Sequence, residues 1–89
     1  MGLATFEDAL KRDGFQEILT AGFAAGHDLG DHAHPYALRA MVIDGEFRIT
    51  VDGQETVYGA GEVFALASGV HHAERTGPEG VKFLIGRKR

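Results

Sequence analysis

The chain has 89 residues, enough for one domain with no room for a second core, and it contains no cysteine. Disulfide frameworks, thiolate metal sites and cysteine nucleophiles are therefore excluded, and a metal would have to be held by His, Asp or Glu. Nine Lys and Arg against thirteen Asp and Glu give a formal charge of −4, which disfavours nucleic acid as a partner, because phosphates are held by clustered basic groups.

No charged-then-apolar leader opens the chain at Met1-Gly2-Leu3, and no apolar run approaches the ~20 residues of a membrane helix. A soluble, cytoplasmic protein with no membrane partner is expected. The stretch from Thr5 to Gly14 reads as the one helix. Thr5 would cap it, Glu7 and Asp8 would sit in its first turn, and Lys11 and Arg12 in its last, with Gly14 as the stop. Phe6, Ala9 and Leu10 form one apolar face for docking on a sheet. Residues 1–14 are thus the helix and lead-in, and residues 15–89 a single β domain.

After Gly14 the pattern changes to short β-like runs broken by glycine. Phe15 to Phe23 reads as a strand pair or one bent strand, with corners at Gly22 and Gly26. A strand carrying His32 and His34 follows and ends at Pro35. Leu38 to Ile43 reads as a strand buried on both faces, and Asp44-Gly45 has the composition of a hairpin turn. Phe47 to Val51 alternates with period two, Asp52-Gly53 is a second hairpin signal, and Gln54 to Tyr58 returns. Val63 to Ala67 is another strand. Gly69 makes a corner before His71-His72, Gly77-Pro78-Glu79-Gly80 reads as a loop, and Val81 to Ile85 closes the chain. Short, evenly spaced strands and thirteen glycines argue for an all-β barrel or sandwich.

Residues two apart on a strand share a face, so His32 and His34 can aim two imidazoles at one point. If folding brings His72 close, three neutral nitrogens would surround a divalent metal. The pair alone is a weak signal, since His-x-His also arises by chance on a solvated strand. His71 and His72 are adjacent and face opposite sides, so only one of them can join. His27 has no evident partner and defaults to the surface. Asp31 is out of phase with the histidine pair.

The spacing resembles a known family. Gly26, His32, His34, Leu38 and Gly45 follow the first cupin motif, and Gly61, Ala67, Gly69, His72 and Thr76 follow the second. The two motifs span residues 26–76, more than half the chain. The chain is thereby identified as similar to small single-domain cupins of the RmlC-like type. The resemblance implies a cupin-type jelly-roll barrel of six to ten strands, with one metal held inside one end by His32, His34 and His72.

The departures matter to the chemistry. The family's glutamate ligand falls at Leu38, its motif-two proline at Ala67 and its asparagine at Thr76. A three-histidine set remains, similar to that of cupin dioxygenases that work with iron and no carboxylate ligand. Glu74, two residues after His72, would face the same cavity and is the candidate replacement; the competing reading is a rim residue paired with Arg75 or Arg39. Arg39 points inward only if a one-residue bulge precedes it, and could then hold a carboxylate substrate. Tyr36 either roofs the site or packs as a loop aromatic. Leu38, Ala40, Ala65 and Ala67 are expected to line a small apolar mouth, which suits a small organic ligand.

The expected function is a metal-binding cupin that binds or acts on a small organic molecule, its metal being iron, zinc, nickel or manganese. The alternatives are a three-histidine iron dioxygenase and a non-enzymatic sensing domain. With Leu38, Ala40 and Val42 inward, Met41 and Ile43 must point outward as an apolar patch. A homodimer is expected to cover that patch, the N-terminal helix being the other candidate cover, and Met41→Glu would split such a dimer.

Overall fold

The computed structural model describes residues 2–89. Helix α1 spans Leu3–Arg12, and six strands follow: β1 Glu17–Phe23, β2 Asp28–His32, β3 Ala37–Val51, β4 Gln54–Gly59, β5 Val63–Leu66 and β6 His72–Lys88. All pairings are antiparallel. β6 is the hub, pairing with β1, β2 and β3, while β3 also carries β4 and β5. The result is an all-β jelly roll with one short helix on its outside. No helix among the described residues is long and apolar enough to cross a membrane.

Helix α1 begins earlier than its composition suggests. Gly2, in an extended conformation, serves as the N-cap, and its carbonyl already accepts the Phe6 N–H at 3.0 Å. Thr5 therefore lies inside the helix and does not cap it, and the first turn holds no acidic residue. The C-terminal end follows expectation, with Lys11 and Arg12 in the last turn and Gly14 at φ +83°. Gly22 is not a corner. It sits within β1, paired with Lys82, where a Cβ would run into the Val81 carbonyl.

The expected hairpin at Asp44-Gly45 does not form; β3 runs straight through it. Pairing with β6 passes from Val42↔Phe83 to Asp44↔Lys82, skipping Ile43, and then from Gly45↔Val81 to Phe47↔Thr76. Glu46 thus faces the four residues Gly77–Gly80. These were expected to form a loop but stay within β6 as a wide bulge. Two left-handed glycines make this possible. Gly45 (φ +84°) and Gly80 (φ +78°) meet backbone to backbone, and a Cβ on Gly45 would strike the Gly80 carbonyl. The second expected hairpin is real, with Asp52 at φ +50° and Gly53 at φ +77° joining β3 to β4.

Two apolar clusters result. Inside the barrel lie Leu38, Ala40, Val42, Phe47, Ile49, Phe64, Val81, Phe83 and Ile85. Outside it, Phe6, Leu10, Phe15, Met41 and Leu84 pack together, with Ile18 and Ile43 alongside. Met41 and Ile43 do leave the barrel, as expected, but the helix occupies that face, and Met41 is only 3% exposed. Gly86 makes the close fit possible, since a Cβ there would press on Leu10 and Phe15. The patch that suggested self-association is thus filled within one chain.

Met41→Glu is accordingly expected to act on folding. A carboxylate forced between helix and sheet should lower unfolding free energy by about 3 kcal/mol or more. Urea denaturation followed by far-UV circular dichroism measures this. Light scattering on the wild-type protein separately reports any pairing through other surfaces, and an unchanged urea midpoint in the variant would contradict the helix packing.

Candidate metal centre

Four imidazoles and one carboxylate gather at the end of the barrel where β2 meets the start of β6. His32 is the last residue of β2, and His34 lies two residues beyond it. Their meeting is therefore not the period-two alignment expected of a single strand. The backbone N–H of Gly69 donates to the His34 carbonyl at 2.9 Å, tying this segment to the turn that precedes His72. The ring centroids of His32 and His72 are 4.2 Å apart, those of His32 and His34 5.0 Å, and those of His34 and His72 5.3 Å. One nitrogen from each ring lies within 4.8 Å of the others.

The tautomers of two rings follow from their partners. His32 Nδ1 donates to the Gly30 carbonyl at 2.7 Å and His72 Nδ1 to the Val70 carbonyl at 3.0 Å. In the neutral form each ring then presents a bare lone pair at Nε2. Both lone pairs face Glu74, a carboxylate only 8% exposed, whose Oε1 lies 3.1 Å from His32 Nε2 and 3.7 Å from His72 Nε2. His32 Nε2 is shut off from solvent and has no aligned hydrogen bond despite the short distance to Glu74. Acceptors face acceptors, which only a proton or a cation between them can relieve.

Glu74 takes the inward of its two expected positions. Its rim partners are engaged elsewhere: Arg75 pairs with Glu55 at 2.8 Å, and Arg39 with Asp13 at 2.6 Å. Arg39 lies over the Phe15 ring, 4.8 Å from its centroid, on the outside of the barrel, so it does not reach the site. Both register shifts along β3, at Ile43 and at Glu46, come after Arg39 and so do not turn it inward. His71 and Asp31 pair with each other at the surface. Tyr36 stacks on His34 at 5.0 Å and 16°, and Leu38 is buried in the cavity wall.

Two residues of this site escaped the sequence reading. His27, assigned to the surface, donates from Nε2 to Glu74 Oε2 at 3.0 Å and stacks flat on Phe23 at 3.9 Å. No spacing signal marks it, because the pairing of β2 with β6 is irregular between Leu29 and His32. Arg87 lines the cavity on the same face of β6 as Val81, Phe83 and Ile85. Period-two counting onward from those residues would have found it.

The cavity beside the histidines has a volume of about 140 Å³. Its walls are mainly Phe47, Phe64, Phe83, Ile49 and Leu38; the alanines 40, 65 and 67 expected at its mouth do not line it. Burial, reinforced by the neighbouring His32 and His72, holds the His34 imidazole below its ordinary value of 6.5. A neutral ring is the form that can ligate a metal.

Residues 19–85 match the family model for the cupin domain. Among solved structures, the chain is similar to an RmlC-like cupin from Shewanella frigidimarina, with 28% identity and a TM-score of 0.68 over 80% of this chain and 63% of that one. It is also similar to a protein of unknown function from Rhizobium leguminosarum, with 21% identity and a TM-score of 0.74 over 80% of this chain and 67% of that one. A third is the DMSP lyase DddQ from Ruegeria pomeroyi, with 23% identity and a TM-score of 0.71 over 81% of this chain but only 37% of the lyase. The last two likenesses are of fold alone. The chain thus spans less than two thirds of the Shewanella protein, and no curated protein matches it.

The lowered His34 value carries a sign for stability without metal. As pH falls below 6.5, the unfolded chain takes up a proton that folded His34 resists, so the folded state loses ground until its own lower value is reached. The metal-free protein should therefore melt at progressively lower temperature from about pH 7 to about pH 5, and His34→Gln should flatten that slope. Calorimetric scans across the pH series measure both; identical slopes for the two proteins would show that His34 contributes nothing.

Proposed function

This chain belongs to the cupin domain family, and from that premise we propose that His32, His34 and His72 hold one divalent metal ion beside a cavity that takes a small organic molecule. The observation that carries this reading is the convergence of lone pairs: two histidines with their Nδ1–H groups committed to backbone carbonyls aim Nε2 at one another and at a buried carboxylate. Ligating histidines commonly donate their other ring nitrogen to a carbonyl in this way, which fixes both the tautomer and the ring. Glu74 adds negative charge beside the three nitrogens, and His27 holds its second oxygen in place.

Three imidazoles with an adjacent carboxylate suit iron, zinc, nickel or manganese. When bound, the ion would act as a Lewis acid towards an oxygen or nitrogen donor of the ligand. The protein's own part is to favour the neutral form of His34, to orient all three rings and to surround the ligand with apolar walls. Iron accompanied by dioxygen uptake would place the protein among the dioxygenases; zinc or nickel retained without turnover would make it a binding or sensing module.

Elemental analysis of the purified protein should find about one metal ion per chain, and His72→Ala should remove it. Glu74→Gln should weaken retention by about ten- to a hundredfold without abolishing it. Dialysis against one chelator should strip more metal at about pH 5 than at about pH 8, because protons compete for the imidazoles. Undiminished metal in His72→Ala, or equal retention at both pH values, would refute the histidine site.

A further inference from the structure

Among the described residues, Arg87 is the one Lys or Arg in the wall of the cavity. It follows Val81, Phe83 and Ile85 along the inward face of β6, and across the sheet it pairs in register with Leu38, an apolar neighbour that offers it no acceptor. Its guanidinium lies over the Tyr36 ring, 5.4 Å from the centroid, and Tyr36 in turn stacks on the candidate ligand His34. One nitrogen, Nη1, donates to Glu17 at the rim at 2.7 Å. The Nε is buried and has no hydrogen-bond partner among the described residues. A guanidinium presents donors in a fixed fork, and an unused buried donor leaves part of that fork open. The cavity walls supply it no second partner, being aromatic and aliphatic apart from the histidines and Glu74.

A second, outer hollow is lined by Gln16, Glu17, Tyr36, Arg87 and Arg89. Arg87 therefore stands between this basin and the inner cavity, with Arg89 close by on the same strand end. Glu17 offsets Arg87 here, so Arg89 leaves the hollow one positive charge in excess, in a chain whose formal charge is −4, and that excess would favour anions at the entrance.

We propose that Arg87 recognises the carboxylate of a small organic acid whose apolar body fills the cavity between Arg87 and the histidines. The size follows from the volume. About 140 Å³ is close to the ~150 Å³ cavity known to accept benzene, so the acid has a body of roughly four to six carbons. This proposal rests on the reading above that the cavity serves a ligand beside a metal, but Arg87's part is measured without it.

The test compares isovalerate with isovaleramide, of nearly the same shape but without the charge, titrated into ¹⁵N-labelled protein with and without bound metal and followed by NMR. Isovalerate should shift the amides around Arg87, Leu38 and Tyr36 and bind at least about tenfold more tightly than the amide. Arg87→Met should abolish that preference, Arg87→Lys should restore part of it, and Glu17→Gln, which frees the guanidinium, should leave it equal or larger. Metal content of the same samples reports separately on the histidine site: metal-free protein that still prefers the acid supports Arg87 even if no metal is ever retained. Equal binding of acid and amide by the wild type, no binding of either at millimolar concentration, or an undiminished preference in Arg87→Met would overturn the proposal. The wild-type comparison decides the matter even if a variant fails to fold.

Discussion

A strand alternates its faces residue by residue, so a long strand holds one wall inward only while its phase is kept. β3 and β6 are 15 and 17 residues long, and each changes phase once at the same level of the barrel. On β3 the inward residues run Leu38, Ala40, Val42 and then Phe47, Ile49. On β6 they run His72, Glu74 and then Val81, Phe83, Ile85, with Arg87 in step behind them. The slip at Ile43 and the Gly77–Gly80 bulge are what let apolar wall and polar site share one interior. Without them, the half of the barrel that ends in Arg87 would turn its aromatics to solvent.

The polar end is built on a conflict of charge that the backbone enforces. The carbonyls of Gly30 and Val70 take the Nδ1 protons of His32 and His72, leaving their remaining nitrogens with nothing to donate to Glu74. His27, with Nε2 free to donate and its ring pressed flat on Phe23, is the partner that keeps Glu74 from swinging away. The carboxylate is thus anchored on one oxygen and exposed on the other to two lone pairs. Such an arrangement is costly when empty and favourable around a cation.

Much of this was legible in the residues, and the failures have physical causes. The motif spacing of His32, His34 and His72 anticipated their convergence, although the reason offered, two residues in phase on one strand, does not hold beyond His32. The even-numbered run Leu38, Ala40, Val42 and the odd-numbered run Phe47, Ile49, Val51 already contain the phase change. Asp44-Gly45 obscured it, because a left-handed glycine suits both a tight hairpin and a bulge, and only the partner strand decides between them. Gly77-Pro78-Glu79-Gly80 misled for the same reason. Thr5 looked like a cap because composition cannot show that Gly2 already supplies the carbonyl the first turn needs. His27 was beyond reach, since the irregularity between Leu29 and His32 puts it out of step with the histidine pair, and no period predicts irregularity.

The contact between Tyr36 and His34 has an optical consequence. The chain has no tryptophan and only two tyrosines, so under excitation that phenylalanine does not absorb its emission comes from Tyr36 and Tyr58. Tyr36 stacks on a candidate ligand, whereas Tyr58 packs against Phe64. An ion with unpaired electrons, such as iron or manganese, held by His34 would drain the excited state of Tyr36 and dim its share of the emission. Closed-shell zinc has no such route. The fold thereby carries its own lamp beside the histidines, able to distinguish classes of metal in solution without any added label.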